Sequence, residues 1–207
     1  MAVVDVKQVA EKVKLGLWHF EESPSELARR HPGLQRLYDD LATRYRHEGR
    51  IIERMAVHAL LMEMDGLTAA DALPLIDHDE AGKPLLRDGR CLSVSHTKGY
   101  AALMLSDNRP VGVDIEYVSD RVGKIAHMFL RDDEQAPSSR EQLVVWCAKE
   151  AAFKLFSADK LTFHEMRVEP FCLSALGKVS LTNLQRQSTI SLYYQFERDY
   201  VLVYTAP

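Results

Sequence analysis

Six consecutive residues, Val111-Gly112-Val113-Asp114-Ile115-Glu116, constrain the fold more than any other stretch of this 207-residue chain. They alternate with the period of a β-strand, so Val111, Val113 and Ile115 share one face and Gly112, Asp114 and Glu116 the other. Neighbouring carboxylates repel each other, so a fold that contains this strand must bring a cation to them or leave them in water. Further along, Trp146-Cys147-Ala148-Lys149-Glu150-Ala151-Ala152-Phe153-Lys154 reads as a helix with Glu150 and Lys154 one turn apart. A third carboxylate and a lysine complete a set suited to a hard divalent cation holding phosphate oxygens. Taken singly, each half has an ordinary reading. The first is a solvated sheet face; the second is a helix-surface salt bridge worth about 0.2–0.5 kcal/mol.

Composition narrows the function classes. A net charge of −4 argues against a general nucleic-acid binder, which carries a basic balance. Cys91, Cys147 and Cys172 are far apart and odd in number, with no Cys/His cluster of zinc spacing. Cys91 and Cys147 lie in apolar segments and read as small buried residues, which fits a reducing, cytoplasmic setting. Asp5, Lys7, Glu11, Lys12 and Lys14 leave the start of the chain without the apolar core of a secretory signal. No uncharged run is long enough to predict a membrane span.

The periodicities predict an α+β fold. A strand is expected over 16–20 and short helices over 25–30 and 34–45, with Ser23 capping the first and Glu26 three residues on. A strong helix follows over 48–64, with Ile52, Met55, Ala56, Ala59 and Leu60 in one stripe and Gly66 as its stop. Residues 73–86 read as extended, with a turn over 80–84. Strands are expected over 91–96, 100–106 and 110–116, helices over 121–130 and 140–158, then three or four strands. In the last of these Ile190, Leu192, Tyr194 and Phe196 alternate with polar neighbours. Trp146 and Phe153 read as helix-packing residues and Lys149 as an exposed lysine.

In this order, the two halves resemble the signature of the 4′-phosphopantetheinyl transferases: Gly-hydrophobic-Asp-hydrophobic-Glu, then aromatic-small-x-Lys-Glu-small and a second lysine. Gly112, Asp114, Glu116, Trp146, Cys147, Lys149, Glu150, Ala151 and Lys154 meet every fixed position. The resemblance runs from about Arg44 to Arg167 and is to the monomeric, surfactin-synthetase-activating type. It implies two similar α/β halves in a pseudo-twofold arrangement, here 1–107 and 108–207, with the active site between them. It also implies an activity: transfer of the phosphopantetheine arm of coenzyme A to a serine of an apo acyl or peptidyl carrier protein, releasing adenosine 3′,5′-bisphosphate. Magnesium is the implied cofactor, with Asp114, Glu116 and Glu150 as its ligands. Glu150, Lys154 and His96 are the implied catalytic groups, and either Glu150 or a water accepts the serine proton.

Three further matches concern coenzyme A. Ser95-His96-Thr97 resembles the family's phosphate-holding segment at the end of a strand, where hydroxyls, an imidazole and turn amides hold phosphate oxygens. Gly82-Lys83-Pro84 resembles the turn whose lysine contacts the bisphosphate end. Arg50 and Arg54 lie on the helix that holds the 3′-phosphate in the family, and His58 stands where the family has an arginine. Lys154 is expected near the pyrophosphate. The segment from Phe129 to Ser139, with Arg131 and Arg140, is the expected carrier contact. Two alternatives carry the same residues differently: a non-catalytic coenzyme A or nucleotide-binding module of the same fold, and an unrelated magnesium-dependent phosphohydrolase.

Overall fold

The computed structural model describes residues 3–68, 73, 76–80 and 82–205. They form a mixed α+β structure of two units, Met1–Arg109 and Pro110–Pro207. Among the described residues, no helix is long and apolar enough to cross a membrane.

Unit 1 is a four-stranded antiparallel sheet carrying three helices. It opens with a hairpin of β1 (Val3–Ala10) and β2 (Val13–His19), turned at Lys12 in the left-handed region. The short apolar stretch at 16–20 marks only the end of β2, and β1 escapes the pattern altogether. The reason is its place at the sheet edge, where Asp5, Val6 and Gln8 are all exposed and no apolar face needs to form. β5 (Cys91–Thr97) and β6 (Tyr100–Ser106) complete the sheet in the order β1-β2-β6-β5. β6 is an inner strand and buries its whole run from Ala101 to Leu105, which is why that run is continuously apolar.

Of the helices, α1 (Pro24–Arg30) starts on the expected capping box, in which Ser23 accepts from the Glu26 amide and Glu26 accepts from the Ser23 amide. α2 (Gln35–Arg44) follows. α3 (Glu48–Asp65) buries Met55, Ala56, Ala59 and Leu60 in the unit 1 core and stops at Gly66, which takes the left-handed conformation. Trp18, Leu27, Leu34 and Leu103 complete that core. Within the expected extended stretch, β3 (Ile76–His78) pairs with β4 (Pro84–Leu86), and the Asp79 amide donates to the Lys83 carbonyl to close the turn. Residues 74, 75 and 81 of that stretch lie outside the described residues.

Unit 2 is a five-stranded antiparallel sheet with two helices. Its strands are β7 (Val113–Tyr117), β8 (Met166–Val168), β9 (Leu176–Asn183), β10 (Ser188–Phe196) and β11 (Tyr200–Thr205), in the order β7-β11-β10-β9-β8. α4 (Arg121–Phe129) and α5 (Ser139–Leu155) lie between β7 and β8 in sequence. A second capping box, Ser138 with Glu141, fixes the start of α5. α5 is shorter than the periodicity suggests, since residues Ser157–Asp159 form a separate 3-10 turn.

Candidate active site

Cross-strand register decides what the two carboxylates of β7 face. Asp114 pairs with Val203 and Glu116 with Val201 of β11, so the carboxylates share the sheet face of those valines. Val201 and Val203 belong to the same core as Cys147, Ala148, Ala151 and Ala152 of α5. Asp114 and Glu116 therefore stand on the face packed against the signature helix, not on a solvated one. Gly112 makes the approach possible. A Cβ there would overlap the carbonyl oxygen of Ala151, so no other residue fits without moving α5. The glycine backbone is clamped to β11 by two hydrogen bonds: its amide donates to Thr205 Oγ1 at 3.1 Å, and its carbonyl accepts from the Thr205 amide at 2.9 Å.

Lys154 comes to this face one turn after Glu150. Its Nζ donates to Asp114 Oδ1 at 2.8 Å and to the Val113 carbonyl at 2.9 Å. The Asp114 side chain is only 5% exposed. Burial raises the Glu116 carboxyl above its ordinary range, the Asp114 charge adds to the rise, and Trp146, Lys154 and Arg121 oppose it. Burial likewise raises Glu150, with Asp114 and Glu116 adding and Lys154 opposing. Cys147, fully buried beside them, is pushed well above the ordinary thiol range by burial and by the same two carboxylates of β7. Burial is thus the first cause of both upward shifts and carboxylate repulsion the second, and three carboxylates stand against the single ammonium of Lys154 and the more remote charge of Arg121.

Among the described residues, no three acidic, histidine or cysteine side chains already converge as a closed ligand set. The donors nonetheless suit magnesium, which prefers carboxylate oxygens, and their surplus charge is of the sign that a divalent cation would neutralise.

The helix signature holds two residues whose positions differ from the sequence expectation. Lys149 is not an exposed lysine: its side chain is 0% exposed. Its Nζ donates to Glu134 Oε2 at 2.7 Å, to the Phe129 carbonyl at 2.7 Å and to the Phe163 carbonyl at 3.2 Å. Burial lowers its pKa, and the Glu134 partner opposes that shift. Glu134 is a hub in turn, since it also accepts from the amides of Arg131 and Val168. The signal was present in the sequence: Lys149 lies in the stripe of Val145, Ala148 and Ala152, where a lysine requires a buried partner. Trp146 packs against Phe129 and Phe163 as a helix-packing residue should, but its Nε1 also donates to Glu116 Oε1 at 3.3 Å. Phe153, by contrast, is exposed rather than packed.

Residues 110–205 match the family model of the 4′-phosphopantetheinyl transferase superfamily. The match begins at the first residue of unit 2 and spans β7 through β11. No curated protein matches the chain.

Unit 1, outside that matched domain, holds the other expected residues. His96 lies near the end of β5, paired with Ala101. Its Nδ1 stands 3.5 Å from Glu53 Oε2 of α3, a partner that the sequence did not reveal. Ser95 is buried beside it, and Lys83 is half-buried at the start of the turn into β4. Arg50 and Arg54 are exposed on α3, with Arg54 stacked over the Tyr45 ring at 5.1 Å. His58 donates through Nδ1 to the Arg54 carbonyl at 2.9 Å, and burial, with the charges of Arg54 and His78, pushes its pKa down. An imidazole so placed is neutral at pH 7 and does not replace an arginine as a cation.

The segment expected to contact a carrier is partly engaged within unit 2. Phe129 is fully buried, Arg131 is engaged by Asp133 and the His164 carbonyl, and Arg140 stacks on Phe196 at 4.4 Å. Met128, next to this segment in sequence, is an exposed apolar side chain.

Proposed function

We propose that the chain is a magnesium-dependent 4′-phosphopantetheinyl transferase of the monomeric, surfactin-synthetase-activating type, working in the cytoplasm. It moves the phosphopantetheine arm of coenzyme A to a serine of an apo acyl or peptidyl carrier protein and releases adenosine 3′,5′-bisphosphate. One observation carries the reading: in the region that matches the superfamily, Lys154 of α5 is hydrogen-bonded to Asp114 of β7, and the charge of Asp114 acts on both Glu116 and Glu150.

In this reading Asp114, Glu116 and Glu150 hold the metal. Bound there, magnesium neutralises the pyrophosphate and makes the attacked phosphorus more electrophilic. Glu150, or a water held there, accepts the proton of the carrier serine. The serine oxygen bonds to the phosphorus and the pyrophosphate P–O bond breaks, its electron pair leaving with the bisphosphate. Lys154, hydrogen-bonded to Asp114, offsets the charge that grows on the leaving oxygen. The residues proposed for coenzyme A are Lys83, Ser95 and His96 at the phosphates, with Arg50 and Arg54 for the 3′-phosphate in place of His58, whose pKa is lowered by burial.

The test is product analysis by chromatography. Adenosine 3′,5′-bisphosphate should form only when coenzyme A, magnesium and an apo carrier are all present. Release of inorganic phosphate from coenzyme A without a carrier would instead establish a phosphohydrolase.

A further inference from the structure

The tryptophan of the helix signature has a geometry that packing alone does not require. Trp146 and Glu150 lie one turn apart on α5, so they present to the same side of the helix. The indole meets the Phe129 ring edge-on at a centroid distance of 5.2 Å and the Phe163 ring, tilted, at 5.1 Å. Both phenylalanines are themselves fixed through their backbones, because the carbonyls of Phe129 and Phe163 each accept from the buried Lys149 Nζ. An indole held on two sides has little rotational freedom, and its one polar atom points at Glu116 Oε1. The chain of contacts runs Lys149, then Phe129 and Phe163, then Trp146, then Glu116. Two residues of the signature, three positions apart, thus converge on one carboxylate of β7.

We propose that Trp146 is a positioning residue for Glu116: its N–H fixes one carboxylate oxygen and so presets the other for the divalent cation, with Lys149 holding the aromatic clamp. The inference rests on the transferase reading for its metal, and it concerns how this chain prepares a ligand rather than which residues are ligands. Partners that orient a metal-binding carboxylate commonly change metal affinity by 10–100-fold when removed. The hydrogen bond here is long, so the low end of that range applies. A packing role makes a different prediction, because phenylalanine preserves most of the aromatic contact and lacks only the donor.

The experiment compares wild type with Trp146→Phe in the absence of coenzyme A and carrier. Isothermal titration with Mn2+ should show about tenfold weaker binding in the variant, at a melting temperature close to wild type. In turnover assays the magnesium activation constant should rise by a similar factor while kcat at saturating magnesium and the coenzyme A KM hold. A second measurement uses wild type alone. The chain has two tryptophans, so two indole N–H resonances are expected. One should shift on Mg2+ titration and be missing from Trp146→Phe. Unchanged Mn2+ affinity in the folded variant, a wild type that binds no Mn2+, or indole resonances indifferent to Mg2+ would each overturn the inference. The transferase reading fails separately: a metal response at Trp146 without carrier modification removes that reading and leaves the positioning role standing.

Discussion

Lys149→Met asks whether the buried ion pair beneath α5 holds the signature helix in place. Methionine nearly matches lysine in length and is at home in an apolar stripe, so little cavity is created. What remains is a Glu134 carboxylate, its side chain 1% exposed, that keeps two backbone donors, the amides of Arg131 and Val168, and loses its counter-ion. The Phe129 and Phe163 carbonyls lose the same donor. Removing one partner of a buried pair costs about 3–5 kcal/mol. The two amides left on Glu134 place this case at the lower end, about 3 kcal/mol. With a urea slope of roughly 2 kcal/mol per M, the unfolding midpoint should fall by about 1.5 M. Glu134→Gln should also destabilise, because it strands the lysine. The double variant should lose clearly less than the two single losses together, since neither charge is then left alone. A loss under about 1 kcal/mol for Lys149→Met, with the slope unchanged, would show that the lysine reaches water and that the hub does not exist as described.

Gly112→Ala should destabilise unit 2 by about 1–3 kcal/mol, because the added methyl must displace the Ala151 carbonyl of α5, and urea unfolding will show it. Glu150→Gln addresses the raised carboxyl. In metal-free wild type, a raised folded pKa contributes stability at low pH that is lost as pH rises through it, so the melting temperature of the variant relative to wild type should climb from the ordinary carboxylate range upward; a flat difference would contradict the shift. Lys154→Ala should lower kcat, since it meets charge that grows in the transition state, whereas Lys83→Ala should mainly raise the coenzyme A KM. The reverse pattern in steady-state kinetics would exchange the reacting and anchoring ends.

Much of this was legible because apolar pattern and burial coincide. The continuous run of β6, the alternation of β10 and the stripe of α3 each follow from which side must leave water. β1 was not legible, since an edge strand with exposed Asp5 and Gln8 has no face to announce itself. The site shows the same division. Alternation alone places Asp114 and Glu116 on one face, but Val113 and Ile115 on the other face are buried as well. Only the register with Val201 and Val203 tells which face meets α5, and register is a long-range property. The contact between His96 and Glu53 joins residues of different elements, and the Glu134 hub sits in a run of charges that nothing local distinguishes.

The central claim is tested most directly by the intact mass of an apo carrier protein after incubation with the chain, coenzyme A and magnesium. The account predicts a gain of one phosphopantetheine on the carrier serine with wild type, and none with Asp114→Ala, which should retain its fold by circular dichroism. An unmodified carrier with wild type across acyl and peptidyl carriers, or equal modification by Asp114→Ala, would contradict it.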